Sequence, residues 1–436
     1  MFLTKKPSRI FIFLFLFGLA LRLILSPQYR GIDSYAFRTW SHYAYKVGPT
    51  KLYGPTDREL IEGGMSLQSY TKLMLKMNGN LNFDYPPVSA YYFYLIGYID
   101  HIFDPQVETS RVLAFLINSF GAAASVLSCI MILLFFYGKG LPKLGETAAL
   151  SFWLNPALIL ASPLLGYQDP VFTFIGILCV YLYFNKKPDL CFFLYPFVPL
   201  IKPQGILLFP ILFFASLIDY PLKRQIRFVG LMALSITIIY LPFILDDRFI
   251  SAVLGPLTVF EDILSVNFNG WQIISAILLI WDEGVGALTS NNVYKLFFEI
   301  SIFKQRFGIT PWIFSLPIIA VGTYYNLRFF SKQYHNDRNV FFYCIILEIF
   351  LFTQFAVSAL ENHLYQALLF LPFLFCEKSG RYNIFYWLLS VLLFFNVFLI
   401  NTEFLVPLPI PCILFVLFSI VNICIFVVFV RRVFKP

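Results

Sequence analysis

Phe83-Asp84-Tyr85-Pro86-Pro87-Val88-Ser89-Ala90-Tyr91-Tyr92-Phe93-Tyr94-Leu95-Ile96-Gly97-Tyr98-Ile99-Asp100-His101-Ile102-Phe103 is the stretch whose reading decides the fold. Its apolar part, 88–103, is close to a bilayer crossing in length, since a crossing takes roughly 20 apolar residues. Counted as a crossing, it inverts every later loop. Laid in the interface as a surface helix, it leaves Lys139/Lys143, Lys186/Lys187, Lys223/Arg224/Arg227, Arg328/Lys332/Arg338, Lys378/Arg381 and Arg431/Arg432/Lys435 on the side of Lys5, Lys6 and Arg9. Basic residues mark the cytoplasmic side of short loops. The sequence therefore predicts an interfacial helix at 88–103, with both termini cytoplasmic.

Composition sets the class around this stretch. Of 436 residues, 59% are hydrophobic, 13% are charged and 53 are phenylalanine. Soluble domains carry about 25% charged residues, so an all-α, polytopic integral membrane protein is expected. Twelve spans are predicted, near 10–26, 109–137, 147–163, 170–184, 189–201, 204–219, 226–245, 312–330, 340–358, 364–376, 382–400 and 407–430. Arg22 interrupts the first, and no small-residue cleavage site follows, so it reads as a span and not as a signal peptide. The formal charge of +8 is an orientation signal and not evidence of nucleic-acid binding.

Two large loops, 27–108 and 246–311, then fall on the outer side. Asp33, Asp84, Asp169, Lys202, Glu361 and His363 reach that same face. The seven cysteines lie within or at the ends of spans, which indicates no outer disulfide framework. The four histidines form no helical pair suited to zinc. There is no phosphate-binding glycine loop or dinucleotide fingerprint, so no directly bound nucleotide is expected.

Asp33, just beyond the first span, suits proton abstraction from a hydroxyl. Capping a helix or pairing Arg38 are its structural alternatives. Asp84 precedes two prolines that fix φ and disfavour helix before them, and capping the next helix is its alternative role. Asp169 follows Gly166-Tyr167-Gln168 at a tight turn. Lys202, in Ile201-Lys202-Pro203-Gln204-Gly205, is placed to hold a lipid phosphate, or else to snorkel to ordinary headgroups. Asn267-Phe268-Asn269-Gly270-Trp271 offers two amides and an indole for a sugar, or packs its own loop. Glu361-Asn362-His363 ends a span on the outer side. Glu348, inside a span, is expected to pair with a neighbouring helix.

Asp33, Ala36, Arg38 and Trp40, followed by Asp84-Tyr85-Pro86-Pro87, resemble the first outer loop of GT-C glycosyltransferases. The likeness is to the dolichyl-phosphate-glucose glucosyltransferases of N-glycan assembly and to bacterial relatives of the GPI mannosyltransferases. Leu154-Asn155-Pro156 with Gly166-Tyr167-Gln168-Asp169, Ile201-Lys202-Pro203-Gln204, Asn267-x-Asn269-x-Trp271 and Glu361-Asn362-His363-Leu364-Tyr365 resemble the bacterial group's later motifs, in the family's order. Three features depart from it: Tyr35 stands where eukaryotic members usually carry an acid, Leu360 replaces the usual histidine before Glu361, and the turn Gly166-Tyr167-Gln168-Asp169 is not quite spaced from its glycine as in the family.

The resemblance implies a GT-C architecture, with a catalytic membrane module over 1–245 and a C-terminal membrane region over 246–436. It implies an inverting hexosyltransferase that takes a polyprenyl-phosphate sugar as donor and a glycan or glycolipid as acceptor. Catalysis would fall to Asp33 and Asp84, donor phosphate binding to Lys202, Arg38 and His363, and substrate binding to Gln168, Asp169, Asn267, Asn269, Trp271 and Glu361. No metal or other cofactor is expected, although related enzymes differ in metal use. The active site would be extracytoplasmic, in a bacterial inner membrane or in the endoplasmic reticulum of a eukaryote. The rival readings are a lipid-linked-sugar flippase and an inactive scaffold subunit of an envelope complex.

Overall fold

Breaks between helices, more than helix length, organise this chain. The computed structural model describes residues 6–28, 34–53, 83, 85–103, 111–258, 267–289, 311–357, 359, 362–376, 381–400 and 411–434. Among the described residues every regular element is helical. Four helices are long and apolar enough to cross a membrane: Val112–Gly138, Leu222–Leu245, Tyr382–Leu399 and Cys412–Phe434. Pro142–Trp153 and Pro156–Leu164 add a fifth if counted as one span, bent by 48°. The described residues thus show four or five candidate crossings and not the expected twelve; most of the other apolar runs form shorter helices, because prolines 156, 163, 188, 196, 203 and 372 cut them.

We name α1 Arg9–Leu25, α2 Ser34–Val47, α3 Pro87–Phe103, α4 Arg111–Gly138, α5 Pro142–Trp153, α6 Pro156–Ile159, α7 Asp169–Phe184, α8 Pro188–Leu194, α9 Phe197–Ile201, α10 Phe209–Asp219, α11 Leu222–Leu245, α12 Phe249–Thr258, α13 Gly270–Glu283, α14 Trp312–Gln333, α15 Val340–Phe355, α16 Tyr365–Phe370, α17 Arg381–Ile400 and α18 Cys412–Phe434. The joint between α5 and α6 shows how a break is satisfied. Asn155 Oδ1 accepts from the backbone N–H of Ala157 and Leu158, while its Nδ2 donates to Tyr386 Oη and Ser390 Oγ at 2.7 and 2.6 Å. Arg22, fully buried, donates to the Trp153 carbonyl at 2.7 Å and lies 3.6 Å from the indole centroid. A cation there complements the negative end of α5. Gly18 lets the indole dock, since a Cβ would stand 2.2 Å from Trp153 Nε1.

The helix ends fall into two groups. In one, Ser8 and Tyr137 bind Glu146, Arg227 pairs with Asp189, and Tyr183, Tyr334 and Arg338 all donate to Asp219. In the other, Asn118 donates to the Ser26 carbonyl, Lys51 pairs with Asp246, and Ser89, Gln168, Asp169, Lys202, Gln204, Asn362 and His363 come together. Helices α1, α4, α7, α10 with its preceding turn, and α11 each run from one group to the other.

Helix α3 is tied to ends in the second group, with Tyr91 Oη on the Ile239 carbonyl and Tyr92 Oη on that of Ile117. Its other main partner is α2, which lies alongside it: Phe37 meets Phe93, and Tyr45 meets His101. Trp40, Tyr53, Phe83, Tyr85 and Phe243 complete an aromatic core separate from the main one. At Gly97 a Cβ would stand 2.0 Å from the Ser41 carbonyl oxygen. Overpacking of this kind costs typically about 1–3 kcal/mol. Gly97→Val is therefore expected to part α2 from α3 and lower the melting temperature of the purified protein, and a wild-type melt would show that the close approach is not needed.

Candidate functional site

Three chain breaks build the polar cluster of the second group. Asp169 opens α7, with Pro170 at a first-turn position where its missing N–H costs nothing; Gly166, at φ 69°, makes the turn before it. Lys202 sits in extended backbone (φ −143°, ψ 129°) between α9 and the 3-10 turn Pro203–Leu208. Gly205 permits that turn, because a Cβ would stand 2.6 Å from the Val198 carbonyl carbon. Asn362 and His363 lie in the turn that leads into α16.

Lys202 Nζ lies 2.7 Å from Asp169 Oδ2, and the two side chains are 5% and 1% exposed. Asn362 Nδ2 donates to the same oxygen at 3.0 Å. Gln204 Nε2 and His363 Nε2 are 2.6 Å apart. Burial first, and then the Lys202 charge, push His363 well below its ordinary range. Ser89 Oγ is within hydrogen-bond distance of both Gln168 Oε1 (2.7 Å) and the Ile201 carbonyl (2.8 Å), which ties α3 to the cluster. Thr173 donates to the Asp169 carbonyl oxygen. Gln168 Nε2, Gln204 Oε1 and Asn362 Oδ1 are buried without a hydrogen-bond partner among the described residues. Buried polar atoms without a partner in the protein call for one, such as a water or a ligand.

The motifs around Gln168-Asp169, Lys202 and His363 thus meet in space. The Asn/Trp loop bonds to helix ends. Asn269 caps α13 through the N–H groups of Trp271 and Gln272, and Trp271 Nε1 donates to the Phe355 carbonyl (2.8 Å) and Ser315 Oγ (3.1 Å). Asn267 donates to the Thr353 carbonyl and accepts from Asn396. These atoms fasten the end of α15, which leads to the Asn362–His363 turn. Arg38 is half-buried on α2. Asp33, Asp84 and Glu361 lie outside the described residues.

Ser89, Gln204 and Asn362 are the members that sequence reasoning did not single out. Gln204 and Asn362 stood inside quoted motifs beside the residues chosen; Ser89 sits in an apolar run that carries no such signal. Glu348, as expected, binds a neighbouring helix, accepting from Asn326 and Thr323 of α14 at 2.7 and 2.8 Å. Among the described residues no three His, Cys, Asp or Glu side chains gather as a metal set. No protein-family model matches the chain, and no curated protein matches it.

Proposed function

We propose that this chain is an inverting GT-C-type hexosyltransferase, drawing on a polyprenyl-phosphate sugar at the extracytoplasmic face. The observation that carries the reading is the convergence of three motifs, distant in sequence, in one buried cluster that holds a lysine and unpaired amides. Those helix ends lie on the side opposite the basic loops, where a lipid-linked sugar would be presented. The fastened Asn267–Trp271 loop fits a positioning role for the turn at 362–363 better than direct sugar contact.

In this reaction the acceptor oxygen attacks the anomeric carbon as the bond to the phosphate oxygen breaks, and the acceptor proton passes to Asp33. Asp84 is the second carboxylate of the same loop. The lipid phosphate leaves with the electron pair, so no general acid is required. Lys202, with Arg38 and His363, stabilises its charge.

A flippase is the competing reading, because Arg22, Asn326 and Glu348 place polar groups within helices. Those groups are bound in pairs to neighbouring backbone or side chains, which does not suit a path for a sugar. Purified protein given a panel of radiolabelled polyprenyl-phosphate sugars and membrane glycolipid acceptors is expected to transfer label, and scrambling of donor between leaflets without transfer would favour the flippase. Single cysteines at the exposed positions of Lys187 and Asp247 are expected to label from opposite sides of intact cells, 247 from outside. Labelling of both from one side would contradict the arrangement.

A further inference from the structure

We propose that Asp169 occupies the place of the donor's phosphate when no donor is bound, so that ligand entry is an exchange of anions on Lys202. This rests on the reading of Lys202 as the phosphate ligand and adds how that ligand is kept available. The lysine is buried, and its ammonium already lies against Asp169 Oδ2 at 2.7 Å. A phosphate reaching Nζ must displace that oxygen. A buried ammonium without a counter-ion is costly, so an internal carboxylate keeps the empty site folded and holds Nζ in position. The same carboxylate competes with the incoming anion.

The surroundings suit an exchange better than a fixed bridge. Both partners sit at chain breaks: Asp169 is at a helix start, and Lys202 is in extended backbone between two short helices. Gln168, the neighbour of Asp169, holds an amide N–H without a partner, a donor ready for the displaced carboxylate. Asn362 Nδ2 already donates to that carboxylate. Gln204 Oε1 and Asn362 Oδ1, also without partners, can accept from hydroxyls borne by the ligand. The ligand class is a phosphate monoester or diester with a hydroxylated group beyond it.

Farnesyl phosphate is the probe, titrated against the full chain in nanodiscs and followed by intrinsic tryptophan fluorescence. Wild type is expected to bind it, and Lys202→Met to lose most of that binding. Asp169→Asn keeps the shape and removes the competing charge, so it is expected to bind about tenfold more tightly, the equivalent of one charge-assisted contact no longer opposed. Asp169→Glu, which keeps the charge, is expected to show no gain. If the Asn variant does not fold, judged by its melt, Asp169→Ser carries the same expectation. Lys202-dependent binding that Asp169→Asn leaves unchanged or weakens would overturn the exchange and leave the phosphate assignment standing. Wild-type binding that Lys202→Met does not alter would overturn both.

Discussion

Lys202→Met is expected to be the most damaging single change outside the first loop, and to act on stability and binding at once. The methionine fills a similar volume but removes the only cation bonded to Asp169 among the described residues. A buried charge stripped of its partner costs about 3–5 kcal/mol, so the variant should melt well below wild type. Donor binding should fall by roughly ten- to a hundredfold, the worth of one charged contact at about 1.5–3 kcal/mol. The two losses separate in the double variant Asp169→Asn/Lys202→Met, which has no buried charge to strand. Its melt should return most of the way to wild type while farnesyl phosphate binding stays lost. A double variant as unstable as the single one would mean that Lys202 packs the site through its methylene chain and that the ion pair contributes little.

Asp33→Asn is expected to lower turnover by about 10²–10⁴-fold, the usual contribution of a general base, with donor binding close to wild type. The amide keeps the shape and cannot take the acceptor's proton. Single-turnover transfer from a labelled donor, measured beside equilibrium binding of farnesyl phosphate, distinguishes a lost base from a lost site. Turnover retained in the Asn variant would move the role to Asp84. An equal loss of binding and turnover would place Asp33 among the groups that hold the loop together.

The helical, apolar class was legible because hydropathy reports directly on which runs form apolar helices. The breaks were less so. Prolines 156, 196 and 372 cut apolar runs that hydropathy alone joins into spans, and what satisfies each break, Asn155 for one, is a tertiary matter. At the site, Asp169 and Lys202 stood out as charges in apolar surroundings, yet nothing in the order of residues told that they bind each other. The Asn267–Trp271 loop was open to two readings for a related reason. Amides and an indole are equally fit for a sugar and for a backbone carbonyl, and here the carbonyls of Thr353 and Phe355 take them.

The separation of the cluster's members along the chain has a consequence for biogenesis. Asn362 binds Asp169 across 193 residues, and His363 meets Gln204 across 159. At roughly 5–20 residues per second, ribosomes take about 10–40 s to cover the longer gap. Asp169 and Lys202 are only 33 residues apart, so in each nascent chain they are made long before the turn that completes their surroundings. Asp169 and Lys202 can therefore pair, each neutralising the other's charge, before Asn362 and His363 exist.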